Sequence, residues 1–262
     1  MSANARTVRV ASEAAGICRV LEVDHDLAEA VPAPRREQAI RECLARTVVV
    51  PSGPWQGLPD VPGEERVGLL VLGGLVLRRV GIMNRFGAEL LGEGDLLRPW
   101  QGEAELAPLP VTTGWRVLAP ARMAVLDGAF VSRMAHYPQL FNRLIGRVLE
   151  RSRSLAVNVA IVHHARVDVR VHMMLWQLAG RWGRVGPDGV ILPLRLTHQV
   201  LADLVAARRP TVTTALTDLA RRGLIEPGKG GWLLVGQPPG ELAELVPLIA
   251  ERAAETQLPA EV

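Results

Sequence analysis

A chain of 262 residues with 48% apolar side chains is long enough to build two modest domains with real cores. Its formal net charge is only +3, but the excess is local: residues 166–236 hold ten Arg or Lys against five Asp or Glu, while residues 237–262 hold one Arg against five Glu. No run of about 18 uncharged apolar residues marks a membrane span. No continuous apolar core marks a secretion signal, and two cysteines make no secreted disulfide framework. A cytoplasmic protein with no membrane partner is expected.

Residues 1–50 read as mainly helical, with Ile40, Cys43 and Leu44 as apolar positions in a charged stretch. Cys18 and Cys43 fall in this region and read as packed thiols. Residues 51–64 carry four prolines and three glycines, a loop entering a β region. Short runs at 67–72, 74–80, 87–91, 104–109, 114–119 and 121–126 are punctuated as strands are. Residues 130–136 predict a short helix, broken at Tyr137-Pro138. A long helix follows over 139–164, with Leu140, Leu144, Val148, Leu155, Val159 and Val162 recurring near a 3.5-residue period. Such a stripe is covered by its own β domain, by a parallel helix of a second subunit, or by both. His163 and His164 are adjacent, so two helix faces would separate their rings. Residues 240–258 read as an acidic amphipathic helix.

Residues 197–224 are the most informative. Thr197 is a suitable N-cap, and Leu201, Leu204 and Val205 follow at helical spacing. Residues 206–209 form a turn, and Pro210 suits the first position of a second helix. Val212, Leu216 and Leu219 make that helix's buried face, leaving Arg209, Thr211, Thr213, Thr214 and Thr217 largely outside it. Arginine can pair with guanine bidentately, and threonine can bond phosphate or touch a thymine methyl. Arg221 and Arg222 at the helix end could also reach phosphate. Apolar runs on either side of a glycine-rich turn at 228–231 then read as a β-hairpin wing. The expected DNA-binding set is Thr197, His198, Gln199, Arg208, Arg209, Thr211, Thr213, Thr214, Thr217 and, at the wing tip, Lys229.

With these motifs the chain resembles the Crp/Fnr superfamily of bacterial transcription regulators. Residues 165–179 resemble that family's first DNA-domain helix, with Arg170 five residues before Leu175. Residues 187–194 resemble its short hairpin, residues 68–80 a β-roll strand pair around Gly73-Gly74, and residues 94–97 its Gly-Asp turn. The resemblance covers about residues 65–236. It implies an α+β fold with an N-terminal cyclic-nucleotide-binding-like β-roll, a long dimerisation helix and a C-terminal winged helix-turn-helix. The corresponding domains are 1–136, 137–165 and 166–262.

The departures from the family pattern are equally specific. The family's cyclic-nucleotide binders follow the Gly-Asp turn with a Gly-Glu pair for the ribose, where this chain has Arg98-Pro99-Trp100-Gln101. They hold the phosphate through an Arg-Ser or Arg-Thr pair, and residues 108–113 contain no arginine. Leu155 and Ala156 stand where adenine-contacting hydroxyls are placed. An iron–sulfur sensor needs four thiolates. In the recognition helix Arg209 keeps a base-reading place, but Pro210 and Thr214 replace two others. Ala206 stands where a turn glycine is frequent, at a cost of about 1 kcal/mol if the backbone there is left-handed.

These features lead to a homodimeric, sequence-specific regulator of transcription, with a near-palindromic double-stranded operator and RNA polymerase as partners. It is gated by an effector other than cyclic AMP. No cofactor is predicted, and the effector's identity is open. The expected effector pocket comprises Leu97, Arg98, Trp100, Thr112, Thr113, Trp115 and Leu155, where each tryptophan either stacks on a planar ligand or packs in the core. The alternative is a ligand-binding or protein-interaction module that has lost specific DNA binding. No Walker loop, zinc-ligand pair, nucleophile elbow or dinucleotide fingerprint points to an enzyme.

Overall fold

The computed structural model describes residues 13–56, 67–83, 85–100, 109–228 and 230–239. The chain divides into two compact units, residues 1–155 and 156–262.

The N-terminal unit contains strands β1 (Glu13–Arg19), β2 (Leu44–Val50), β3 (Gly53–Trp55), β4 (Gly68–Ile82), β5 (Arg85–Leu91), β6 (Leu96–Leu97) and β7 (Val111–Leu126). They pair antiparallel in the order β1-β2-β7-β4-β5, with β3 added to β7 and β6 to β4. Helices α1 (Val20–Val23), α2 (His25–Glu29), α3 (Ala33–Glu42), α4 (Gly128–Met134) and the start of α5 (Pro138–Val162) belong to the same unit. Alternation along the strands explains the layering. Leu70, Leu72, Ala124 and Leu126 face one way, into a core shared with Leu21, Phe130 and Tyr137. Their neighbours Leu69, Val71, Met123 and Val125 face the other, into a core with Trp55, Leu91 and Leu97. Because both faces are covered, residues 68–72 read as an unbroken apolar run rather than an alternating one.

Several expectations change here. The stretch 1–50 is not mainly helical where it is described: β1 and β2 flank three short helices, and Cys18 on β1 lies opposite Ala45 on β2. Thr47 and Val48 to Val50 carry the β-branched signal for β2, while β1 is specified chiefly by its pairing partner. The runs 67–72 and 74–80 are one strand, as are 114–119 and 121–126. The breaks at Gly73-Gly74 and Pro120 are instead matched irregularities, with register shifts on either side of Gly73. Gly74 has φ +96°, and a Cβ there would sit 2.3 Å from the Pro120 carbonyl oxygen, so glycine is required at this bulge. Residues 57–64 of the expected loop, 104–108 of the expected strand, Lys229 and the tail 240–258 lie outside the described residues.

The long helix is also corrected in detail. Leu140 and Leu144 are buried in the unit's own core. The half-exposed apolar face consists of Phe141, Ile145, Val148 and Leu149, with Val159 further along. His163 and His164 follow the last helical residue, so helix faces do not set their ring directions.

The C-terminal unit contains α6 (Val167–Trp182), β8 (Arg184–Gly186), β9 (Gly189–Leu192), α7 (His198–Leu204), α8 (Arg209–Arg221), β10 (Ile225–Gly228) and β11 (Gly231–Leu234). The two hairpins form one antiparallel sheet in the order β10-β11-β9-β8. At the β9–β11 seam a Cβ on Gly231, with φ +156°, would lie 2.0 Å from the Leu192 carbonyl oxygen. The wing is therefore anchored by a close backbone approach.

Candidate nucleic-acid interface

Thr197 caps α7 as its sequence predicts, its hydroxyl accepting from the Val200 amide at 3.2 Å. The helix closes through Ala206 at φ +49°. The Ala207 amide donates to the Ala202 carbonyl at 2.9 Å and the Ala206 amide to that of Asp203 at 3.5 Å, a Schellman closure with alanine in glycine's usual place. Arg170 of α6 secures this turn, with Nη1 donating to the carbonyls of Val205 at 3.0 Å and Ala206 at 3.4 Å. That guanidinium answers carbonyls which a left-handed turn leaves without helical partners. Its position was legible in the sequence as a pattern, but its role was not.

Helix α8 begins at Arg209, one residue earlier than expected, with Pro210 in its first turn. Val212, Ala215, Leu216 and Leu219 are buried, which turns Arg208, Arg209, Thr211, Thr213, Thr214 and Thr217 outward, all exposed. Three of these hydroxyls bond back to the helix: Thr213 to the Arg209 carbonyl at 3.1 Å, Thr214 to Pro210 at 3.3 Å and Thr217 to Thr213 at 3.0 Å. With their protons so used, they present methyls and oxygen lone pairs to the outside. His198 Nδ1 lies 2.9 Å from Thr213 Oγ1, tying the two helices together. Exposed Gln199 donates to Asp203 at 3.0 Å.

The charge at the start of α8 runs against helix energetics. The N-cap residue is Arg208, which makes no capping bond, and Arg209 follows it. A helix N-terminus favours negative charge, and cations there are disfavoured by about 0.3–1 kcal/mol each. Neither arginine has an ion-pair partner among the described residues. Arg221 and Arg222, by contrast, are paired, the first with Asp218 and the second with Asp168 at 3.6 Å. Asp168 also binds Arg166, whose hydrogen bonds hold its carboxyl below the usual range.

The residues of the expected effector pocket lie in the N-terminal unit. Leu97 is fully buried. Trp100 and Trp115 pack against the core, and Trp115 meets Trp55 edge-on at 5.9 Å. Thr112 donates to the Gly81 carbonyl at 3.3 Å. Arg98, Thr112 and Thr113 are exposed, and Leu155 is half-buried.

Sequence reasoning missed the ion networks beside these residues. Glu89, almost wholly buried, accepts from Arg78 at 2.6 Å and from Arg151 at 2.5 and 3.0 Å. Burial alone would raise its pKa, but Arg151 and then Arg78 hold it below the usual range. Arg147 grips buried Asp24 through two 2.6 Å bonds and also binds Asp26, which Arg143 shares. Arg78 lies 11 residues from Glu89, but the other partners lie 62 to 123 residues apart, so no local pattern announces them. Burial pushes the Cys43 thiol up to about 11 and raises that of Cys18. Neither is a poised thiolate. Among the described residues, no three His, Cys, Asp or Glu side chains are grouped to hold a metal ion, and no helix is long and apolar enough to cross a membrane.

An antiparallel β unit with a long helix, joined to a winged helix-turn-helix, defines a two-part protein. Comparison with known proteins agrees. Residues 169–240 match the model of the Crp-like helix-turn-helix domain. The CRP-like cAMP-activated global transcriptional regulator of Mycobacterium tuberculosis is 33% identical over 138 residues, 52% of this chain and 60% of the relative. The match thus spans less than two thirds of that relative's length. The global nitrogen regulator of Synechococcus elongatus is 28% identical over 63% of this chain and 75% of its own. In fold, a CooA mutant from Carboxydothermus hydrogenoformans matches with TM-score 0.56 at 17% identity, over 78% of this chain and 88% of its own. FixK2 from Bradyrhizobium japonicum matches with TM-score 0.56 at 16% identity, over 77% and 96%. By these comparisons the chain is similar to Crp-like regulators, and its residues 169–240 match their helix-turn-helix domain.

Proposed function

We propose that this protein is a homodimeric transcription regulator that binds a near-palindromic operator in double-stranded DNA and is gated by an effector other than cyclic AMP. The observation that carries the reading is the cationic start of α8. Arg208 and Arg209 sit where the helix dipole disfavours them, and a DNA phosphate or a guanine edge is the partner that would offset that cost. Thr197, His198, Gln199, Thr211, Thr213, Thr214 and Thr217 flank them as contacts, and Lys229 would serve the wing. In this reading residues 1–136 form the sensor, 137–165 the dimerisation helix and 166–262 the DNA-binding domain.

The half-exposed face of Phe141, Ile145, Val148 and Leu149 supports pairing with a second copy, as an apolar stripe on a long helix does. A two-fold dimer presents two recognition helices about 34 Å apart, one turn of DNA. Activation by cyclic AMP, which the name of the Mycobacterium tuberculosis relative states, is not carried over. Arg98 and Pro99 follow the Gly-Asp turn here, and Leu155 and Ala156 offer no hydroxyl. The effector pocket is assigned to Leu97, Arg98, Trp100, Thr112, Thr113, Trp115 and Leu155. Contact with RNA polymerase and a cytoplasmic location belong to the same reading.

The test is selection of bound sequences from random duplex DNA by the purified full chain, with retention followed against salt. Enrichment of a two-fold symmetric site, with retention falling steeply as salt rises, is expected. Absence of any salt-sensitive retention overturns the reading in favour of a module that no longer reads DNA, the alternative that Pro210 and Thr214 favour.

A further inference from the structure

A second feature of the N-terminal unit involves none of the residues proposed to contact DNA. Between α3 and α4 lies a cavity of about 550 Å³, lined among others by Arg35, Arg41, Glu42, Arg133, His136 and Tyr137. This falls within the size range of small-ligand sites, about 300–1,000 Å³. Two of its arginines are held in place. Arg35 Nη2 donates to the His136 carbonyl at 2.9 Å, across 101 residues of sequence, and its guanidinium lies 5.0 Å over the Tyr137 ring. Arg133 Nη1 donates to the Leu44 carbonyl at 2.7 Å. Each of these bonds uses one of the five N–H groups of a guanidinium and fixes its plane. Among the described residues Arg41 pairs with exposed Glu37, at 3.6 Å.

The cavity has one carboxylate, and that group is already engaged. Glu42 accepts from the Tyr137 hydroxyl and from Gln38 Nε2, each at 2.7 Å, and these bonds hold its pKa below the usual range. Three guanidiniums thus line one concavity whose own carboxylate is committed, with exposed Glu37 beside Arg41 as the other counter-charge. Like charges gathered in this way repel unless an anion sits among them.

We propose that this cavity binds a small polyanion bearing phosphate or carboxylate groups, held by Arg35, Arg41 and Arg133. Fixed, forked donors suit the oxygens of either group. The proposal does not require DNA binding and stands or falls separately from it.

Isothermal titration of the full chain with pyrophosphate and with citrate, at constant ionic strength, tests it. Saturable binding of at least one probe, once per chain, is expected. Pyrophosphate alone would assign a phosphate ligand, citrate alone a carboxylate ligand, and both a site that reads charge. Arg41→Glu, at an exposed position, should weaken binding about tenfold or more with the melting temperature kept, and Arg41→Gln should weaken it less. The double variant Arg208→Ala/Arg209→Ala should bind the probe as the wild type does. The proposal is overturned if neither probe saturates, if Arg41→Glu binds normally, or if the double variant loses the probe.

Discussion

Two sets of arginines, one in each unit, are used in opposite ways. In the N-terminal unit Arg78, Arg143, Arg147 and Arg151 are bound to Glu89, Asp24 and Asp26, several of them at 2.6 Å or closer. In the C-terminal unit Arg208 and Arg209 have no carboxylate partner among the described residues, and they sit where helix energetics disfavour them. Buried charges paired within a fold fix the geometry of that fold. Exposed charges left unpaired at an electrostatic cost belong to an absent partner. One residue type thus marks an internal brace in the first unit and, in the proposed reading, a contact surface in the second.

The contrast breaks most visibly at Glu89. Glu89→Gln leaves Arg78 and Arg151 without their anion, and breaking a buried pair costs about 3–5 kcal/mol. Thermal melting should show the N-terminal unit destabilised by about that much at neutral pH. Glu89 has its folded pKa lowered from the model-compound value of 4.5. Its ionic stabilisation is therefore complete above pH 4.5 and lost as pH falls through the folded pKa. The gap between variant and wild type should accordingly narrow only below pH 4.5. A gap that is constant with pH would mean that the triad braces nothing through charge.

For the surface charges the expectation reverses. Arg209→Ala should leave melting unchanged or slightly raised and weaken binding to the selected operator by about 1–3 kcal/mol, with discrimination relaxed at one base position. Uniform weakening across all sequences would instead make Arg209 a phosphate contact.

How legible this was depended on sequence distance. The Thr197 cap, the turn, the buried face of α8 and the wing were all readable, because each rests on residues within a few positions of one another. The left-handed turn at Ala206 was raised only as a condition, through the family resemblance. The Glu89 and Asp24 networks were not readable, since most of their partners are far apart in sequence and meet only in the folded unit. The long helix shows the boundary between these cases. Its period was visible, but it carries two apolar faces. Only the register of α5 on the sheet decides that Leu140 and Leu144 go inward while Phe141 and Ile145 stay out. Likewise Gly73-Gly74 and Pro120 were visible as interruptions, and only their pairing makes them one bulge.

Ala206→Gly sharpens the comparison at smaller scale. Glycine removes the steric cost of φ +49°, so the C-terminal unit should gain about 1 kcal/mol with operator affinity unchanged. If affinity fell as well, the turn would be part of the interface rather than its support.

Arg208→Ser separates stability from function most cleanly. Serine at the N-cap can accept from an amide in the first turn of α8, a gain of roughly 0.5–1 kcal/mol, and it removes a cation from the positive end of the helix. The C-terminal unit should therefore melt higher. The same change deletes a guanidinium at the proposed DNA face, so operator affinity should fall and the salt dependence of binding should lose about one phosphate contact. Opposite signs in the two measurements are what a residue kept for a partner predicts. A variant that is more stable and binds operator equally well would show that Arg208 is solvated surface, and would leave Arg209 as the only cation at the start of α8 set against the helix for the sake of DNA.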